Sequence, residues 1–269
     1  MKILVTGGSG LLGHALQHIS EKDTLSASWI FLSRSHADLT DYSATLSILS
    51  SHQPDIVIHL AAEVGGLFKN LSNQARMLTA NQRMNDNVLQ ACIDCGSVKR
   101  VISCLSTCIF PHSITQDLTE EMIHDGPPHP SNYGYAFAKR MLQVQSRAFN
   151  EAYGDKCRFL CIIPTNLYGP HDNFSLADGH VIPALMHKCH MASKEENGIL
   201  RVAGSGTPLR QFIHSYDVAR VIVKMIYSLD APEMLIVAND EECSIGEAAV
   251  MIAKAFGMSA KQVQVNQSI

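Results

Sequence analysis

The sequence has no cluster of lysine and arginine. Its 21 basic residues are outnumbered by 25 acidic ones, for a formal charge of −4, so nucleic acid is not an expected partner. No apolar run approaches the ~18 residues of a membrane span, and no membrane association is expected. The opening stretch Met1-Lys2-Ile3-Leu4-Val5-Thr6-Gly7 is cut off by glycine too early to form the core of a signal peptide. Without a secretion signal, the eight cysteines read as free thiols in a reducing cytoplasm. Internal repeats, low-complexity tracts and long linkers are also missing. What remains is an ordinary globular composition, 46% hydrophobic, in a chain of 269 residues. That length suits one large α/β domain or a core with a small second lobe.

Residues 2–6 form a continuous apolar run, the pattern of a strand buried on both faces of a parallel sheet. Gly7-Gly8-Ser9-Gly10-Leu11-Leu12-Gly13 follows and opens a helix reaching to residue 20. Gly7 permits a tight turn, Gly10 lets the backbone approach a pyrophosphate, and Gly13 lets helix and strand pack closely. The helix N-terminus then offers free N–H groups and a positive dipole end to phosphate. A dinucleotide is therefore the expected cofactor, with Gly7, Gly10, Leu11, Leu12 and Gly13 as its first contacts.

The second strand, 29–32, is followed by Ser33-Arg34-Ser35, where an NAD-selective site usually carries an acid. Arg34 is suited to pair with a 2′-phosphate through charge-assisted bonds, which favours NADP(H). Asp38 or Leu39 is expected to border the adenine, and Asp41 to cap a helix running to residue 51. Strand three, 55–60, ends in Ala61-Ala62, small enough for close passage of a cofactor. A helix is expected over 72–95, a strand over 98–104, a helix over 133–153 and a strand over 158–163. This alternation predicts a doubly wound parallel α/β sheet. Its ligands sit beyond the strand ends, where Ser106-Thr107-Cys108 and Pro164-Thr165-Asn166-Leu167 lie. Past residue 170 the rhythm changes to helices at 180–192, 215–228 and 244–256, with short strands at 199–203, 211–213 and 234–237. Residues 1–170 thus read as a dinucleotide-binding domain. Residues 171–269 read as a substrate lobe with segments returning to the core.

Tyr135 and Lys139 lie four residues apart in Tyr135-Ala136-Phe137-Ala138-Lys139, on one face of a helix. An ammonium close to a phenol favours its ionised form, lowering a pKa that is ordinarily near ~10 towards the range of a general acid or base.

With these residues assembled, the chain resembles the extended short-chain dehydrogenase/reductase family. Within it the chain is most similar to members that epimerise and reduce GDP-linked 4-keto-6-deoxy sugars. The resemblance is carried by His59-Leu60-Ala61-Ala62-Glu63-Val64-Gly65-Gly66, by Ser106-Thr107-Cys108-Ile109-Phe110-Pro111, by the stretch from Pro164 to Phe174, and by Gly179-His180-Val181-Ile182-Pro183. It reaches to about Phe256. It implies a Rossmann-type fold and a catalytic set of Ser106, Tyr135 and Lys139, with Cys108 and His180 as the acid and base of epimerisation. It implies cofactor contacts from Ala61, Ala62, Lys139, Pro164, Thr165, Asn166, Leu167 and His180. It also implies that Lys188 and Arg210 hold the GDP part of the substrate, and that long helical stretches pair into a homodimer. Ala203 stands where members often have tryptophan. Members usually continue well past the end of this chain, so the substrate lobe is expected to be truncated.

Plainer readings exist for single residues. Cys108 taken alone is a small buried hydrophobe, and His180 a polar residue at a helix start. Cys92-Ile93-Asp94-Cys95 has no second cysteine pair to make a zinc site. His187, Cys189 and His190 are another possible metal cluster, but no metal is expected at either place. Two other functions compete: an NAD(P)-dependent nucleotide-sugar 4-epimerase or dehydratase, and an inactive homologue that only binds nucleotide.

Overall fold

Short apolar runs separated by amphipathic helices fold here around one parallel sheet. The structure, a computed structural model, describes residues 1–22 and 27–266. Residues 267–269, the end of the expected substrate lobe, lie outside the described residues. The first half comprises β1 (Lys2–Thr6), α1 (Leu11–Ser20), β2 (Ser28–Leu32), α2 (Tyr42–His52), β3 (Ile56–His59), α3 (Leu67–Ser72), α4 (Gln74–Asp94), β4 (Arg100–Cys104), α5 (Tyr133–Tyr153) and β5 (Arg158–Pro164). The second comprises β6 (Asn166–Tyr168), α6 (Val181–Ala192), β7 (Leu200–Ala203), β8 (Leu209–His214), α7 (Ser215–Tyr227), β9 (Met234–Val237), β10 (Glu242–Ser244), α8 (Ile245–Ala255) and β11 (Val263–Asn266).

The main sheet runs β2-β1-β3-β4-β5-β9, all parallel. Alternate residues of its strands enter two cores. Leu4, Val57, Val101 and Phe159 pack with Leu49 of α2, Val88 and Leu89 of α4 and Leu142 of α5. Ile3, Val5, Ile58, Ile102 and Leu160 pack with Leu12 and Leu16 of α1 and with Val218 and Ile222 of α7. Both faces are covered, which is why these strands are apolar throughout rather than alternating. Each fully buried aliphatic side chain stabilises by about 1.5–3 kcal/mol, so the sheet is the rigid frame of the molecule. Because the strands are parallel, Gly7, Ala61, Leu105 and Thr165 follow strand ends on a single edge.

Asp41 caps α2, its carboxylate accepting from Ala44 N–H at 3.0 Å. The helix expected over 72–95 is instead two. Asn73 breaks it at φ −129°, because its side-chain amide bonds back to Lys69 O and Ser72 Oγ and so competes with the helical backbone. The segment after β5 is more than a turn: β6 pairs in parallel with β8, which pairs antiparallel with β10. Beyond α8, β11 pairs in parallel with β7. These two strands, α6 and α8 enclose a third core containing Leu185, Cys189, Leu200, Val202, Ala249, Ala253 and Met258.

Candidate active site

A cavity of about 1080 Å³ opens along the C-terminal edge of the sheet. Its first wall is the glycine turn. Gly7 has φ +70°, and a Cβ there would lie 2.7 Å from Ala61 N, so only glycine lets β1 and the end of β3 meet this closely. At Gly13 a Cβ would come within 2.5 Å of Gly8 O. Gly7, Gly10, Leu11 and Leu12 line the cavity, whereas Gly13 packs behind them. Gly10 begins α1 without a capping side chain, leaving first-turn N–H groups for a ligand.

Arg34, Asp38 and Leu39 line the same cavity beyond β2, and Arg34 is exposed. Asp38 is engaged by Thr40, whose hydroxyl and N–H donate to one carboxylate oxygen at 2.7 and 2.9 Å. These bonds, helped by the nearby Arg34 charge, hold the Asp38 carboxyl below its usual range. Ala61, Ala62, Pro164, Thr165, Asn166 and Leu167 form the wall beneath. Thr165 Oγ1 is buried without a hydrogen-bond partner among the described residues. An uncapped helix start, a turn with no room for side chains and an orphaned hydroxyl together fit a phosphate-linked dinucleotide.

Ser106, Cys108, Tyr135 and Lys139 converge on this cavity from two elements. Ser106 opens the 3₁₀ turn Thr107–Ile109 after β4, its Oγ accepting from Cys108 N–H at 3.5 Å. Tyr135 and Lys139 lie on α5, 8% and 2% exposed. Arg140 fastens the two elements together. Its guanidinium donates to Ile109 O at 3.1 Å from Nε, to the same oxygen from Nη2, and to Gly126 O at 2.9 Å.

Burial reverses the electrostatic expectation for Tyr135 and raises the Cys108 thiol as well. The Tyr135 phenol is not lowered but pushed well above its ordinary range, because burial disfavours the phenolate and the Cys108 and Cys104 thiols add to that. Lys139 does not offset this. Its Nζ lies 5.9 Å from the Tyr135 ring centroid and donates instead to Cys104 O at 2.7 Å. Burial also lowers the Lys139 ammonium. Cys108 does not titrate near neutrality either: burial pushes its thiol up to about 11, against the opposing pull of Ser106 and Lys139. Both groups are thus proton donors at neutral pH.

The far wall comes from the second half of the chain. His180 precedes α6 and lines the cavity with Arg210 of β8. Lys188 does not reach it. The cavity takes Val181 and Ile182 from the first turn of α6, and Lys188 lies six residues beyond Ile182, about 9 Å along the helix. Sequence reasoning missed Asn70 and Asp172. Asn70 is 7% exposed and its Nδ2 donates to Asn132 Oδ1 at 2.9 Å. Its Oδ1 and Asp172 Oδ2 are buried without hydrogen-bond partners among the described residues, and both side chains line the cavity. No spacing signal marks Asn70. Asp172 lies within the stretch from Pro164 to Phe174 that carries the family resemblance, but the motif alone gives it no role. Burial raises the Asp172 carboxyl, against a bond from Asn173 N–H at 2.7 Å and the charge of His180. Among the described residues, no group of three His, Cys, Asp or Glu side chains is arranged to hold a metal. Cys189 packs in the lobe core, its Sγ 3.5 Å from Met258 Sδ.

Residues 3–238 match the model of the NAD dependent epimerase/dehydratase family. The chain is 47% identical to the GDP-L-fucose synthase of Dictyostelium discoideum over 264 residues, covering 97% of this chain and 81% of that protein. It is 43% identical to a probable GDP-L-fucose synthase of Drosophila melanogaster over 271 residues, covering 97% of this chain and 84% of that protein. Its fold superposes on the crystal structure of a GDP-L-fucose synthetase from Naegleria fowleri bound to NADP with a TM-score of 0.90. Identity there is 42%, covering 99% of this chain and 81% of that one.

Proposed function

The chain belongs to the NAD dependent epimerase/dehydratase family, and from that premise we propose that it is an NADP-dependent enzyme that converts GDP-4-dehydro-6-deoxy-D-mannose to GDP-L-fucose. The observation that carries this reading is a single cavity lined by the glycine turn, Arg34, Ser106, Tyr135 and Lys139, and also by Cys108 and His180. The first five suit a reductase of this family. The last two supply a second pair of proton-transfer groups, which reduction alone does not need.

In this reading residues 1–170 hold the cofactor and the following lobe holds the sugar nucleotide, with Arg210 towards the GDP phosphates. C3 and C5 of the substrate flank the C4 ketone, so their protons are acidic. Inversion at each carbon removes a proton from one face and returns one to the other, and so needs two groups on opposite sides. Cys108, protonated at neutrality, supplies a proton first and accepts one only after it has given its own. His180 is its partner. Ser106 and Tyr135 donate hydrogen bonds to the oxygen on which enolate charge develops. When bound, the dinucleotide would supply the hydride that reduces C4. Tyr135 delivers the proton to the C4 oxygen, and Lys139 holds the nicotinamide ribose. The test is NADPH consumption with GDP-4-dehydro-6-deoxy-D-mannose and identification of the product. GDP-L-fucose is expected, and no oxidation of NADPH would refute the reading.

The assembly is read as a homodimer through α4 and α5. Tyr133, Phe137, Met141, Val144 and Ala148 recur at helical spacing along α5, and Tyr133, Met141 and Val144 are 52%, 38% and 39% exposed. Two such stripes meeting with the adjoining α4 helices make a four-helix interface. No helix among the described residues is long and apolar enough to cross a membrane. All eight cysteines are free, which favours a reducing compartment, the cytoplasm.

A further inference from the structure

Beneath the cavity floor runs a file of buried polar side chains that the proposed chemistry does not use. Thr6, His59 and Asn85 are 1%, 0% and 1% exposed. Thr6 Oγ1 lies 2.8 Å from His59 Nδ1, His59 Nε2 lies 3.0 Å from Asn85 Oδ1, and Asn85 Nδ2 lies 3.3 Å from Ala138 O. Thr6 Oγ1 also accepts from Ala61 N–H at 3.3 Å.

The contacts set the tautomer from the Asn85 end. The Asn85 amide N–H donates to Ala138 O, which turns Oδ1 to the ring, and Oδ1 can only accept, so the ring proton sits on His59 Nε2. The neutral ring then has an unprotonated Nδ1, which accepts the Thr6 hydroxyl proton, while the hydroxyl oxygen accepts from Ala61 N–H. All donations run one way. An imidazolium would break the file, because Nδ1–H would face the Thr6 hydroxyl, whose only side-chain partner among the described residues is that same nitrogen. Burial and the nearby Lys139 charge keep the ring neutral, its pKa held down to about 4.

The two ends of the file are the two halves of the site. Thr6 immediately precedes Gly7, and Ala61 is the backbone against which Gly7 packs. Ala138 immediately precedes Lys139 and lies three residues after Tyr135 on α5. A side chain that fixes both ends fixes the separation between the cofactor wall and the proton donor.

We infer that His59 is a positioning residue: as a neutral relay between Thr6 and Asn85 it ties the strand that sets the glycine turn to the helix that carries Tyr135 and Lys139. The inference rests on the reading of the cavity as an NADP site with Tyr135 as proton donor. In His59→Leu, which removes both ring contacts, kcat is expected to fall about tenfold or more and the Kd for NADPH to rise severalfold, with the KM for the sugar nucleotide unchanged. His59→Gln keeps one acceptor for Thr6 and one donor for Asn85, and should recover most of the loss. A folded His59→Leu with kcat and NADPH Kd within twofold of the parent overturns the inference, and so does a Gln variant no better than Leu. If His59→Leu does not fold, nitrogen NMR of the parent imidazoles decides. A slowly exchanging Nε2–H beside an unprotonated Nδ1 at about pH 5.5 supports the relay, and a proton on Nδ1 overturns it. A parent that binds NADPH but leaves the sugar nucleotide untouched overturns the proposed function instead, and the NADPH titration and the NMR spectrum still decide the role of His59.

Discussion

The Lys139 ammonium is bound to the carbonyl oxygen of Cys104, 2.7 Å away at the end of β4, and not to the Tyr135 phenol one turn before it on α5. Helical spacing brings two side chains to one face but does not decide which acceptor each one finds. Here the strand end offers a carbonyl with a free lone pair, and the buried ammonium takes it.

The consequence for Tyr135 is that, in the proposed reaction, it acts as a proton donor. Its phenol is raised, so the donor form is the only populated form well past neutrality. Reduction is therefore expected to show no loss from ionisation of Tyr135 between about pH 7 and 9. Tyr135→Phe should slow NADPH oxidation by roughly 10²-fold or more. A wild-type rate that falls across that range in step with a phenol titration followed by ultraviolet difference spectroscopy would contradict this.

Reduction and epimerisation should separate by mutation. Cys108→Ser keeps the size of the side chain but replaces the thiol with a far weaker acid. Incorporation of solvent deuterium at C3 and C5 should then drop by about 10²-fold or more, while NADPH still binds and the ketone is still reduced. The expected product is a GDP-6-deoxy sugar with C3 and C5 uninverted. Tyr135→Phe should do the reverse, slowing reduction much more than exchange, because Ser106 still donates to the enolate oxygen. NMR of the products formed in deuterated water reads both. GDP-fucose made by Cys108→Ser at the parental rate would leave Cys108 as a packed thiol.

Cofactor choice is expected to rest on Arg34, which is exposed at the cavity rim with no acid at the end of β2 to bind ribose hydroxyls. A charge-assisted bond to the 2′-phosphate is worth about 1.5–3 kcal/mol, so Arg34→Ala should weaken NADPH about tenfold or more and leave NADH nearly unchanged. Equal losses for both in a binding titration would remove Arg34 from the 2′-phosphate.

Where the sequence was legible, a residue's role followed from its own neighbours. The apolar run at 2–6 ending in Gly7 marked a buried strand and a phosphate turn, and Asp41 marked a cap. The family motifs pointed to Ser106, Cys108 and His180, and folding brings all three to one cavity. What needed coordinates were properties set by distant parts of the chain. The raised pKa values of Tyr135 and Cys108 come from burial, which no spacing encodes. Asn73 breaks a helix that periodicity ran through, because its amide bonds backwards to Lys69. Lys188 misses the cavity because its helix enters the wall only by its first turn. Asn70 became visible only when folding placed it beside Asn132.

The exposed stripe on α5 makes the oligomeric state a direct test of the proposed interface. Sedimentation at micromolar concentration should give a dimer. Val144→Asp, placing a charge in the stripe, should give a monomer that keeps its fold. A wild-type monomer under these conditions would remove α4 and α5 from the assembly.

His59 also makes a prediction about acid stability, and the sign follows from the direction of its shift. The ordinary imidazole pKa is 6.5, and burial together with Lys139 lowers it to about 4 in the folded protein. As pH falls below 6.5 the unfolded chain takes up a proton that the native ring refuses, so the unfolded state gains. The contribution of His59 is thus fully present above about pH 6.5, declines below it, and is lost by about pH 4, a change on the order of 3 kcal/mol at 1.36 kcal/mol per pKa unit. Carboxylates add an acid dependence of their own, but that part is shared with a variant lacking the imidazole. Urea unfolding at a series of pH values should therefore show His59→Gln losing less stability than the parent between pH 6.5 and 4. Parallel curves would mean that the buried ring takes up its proton as readily in the native state as in the unfolded chain, and the one-way file from Thr6 to Ala138 could not then be intact.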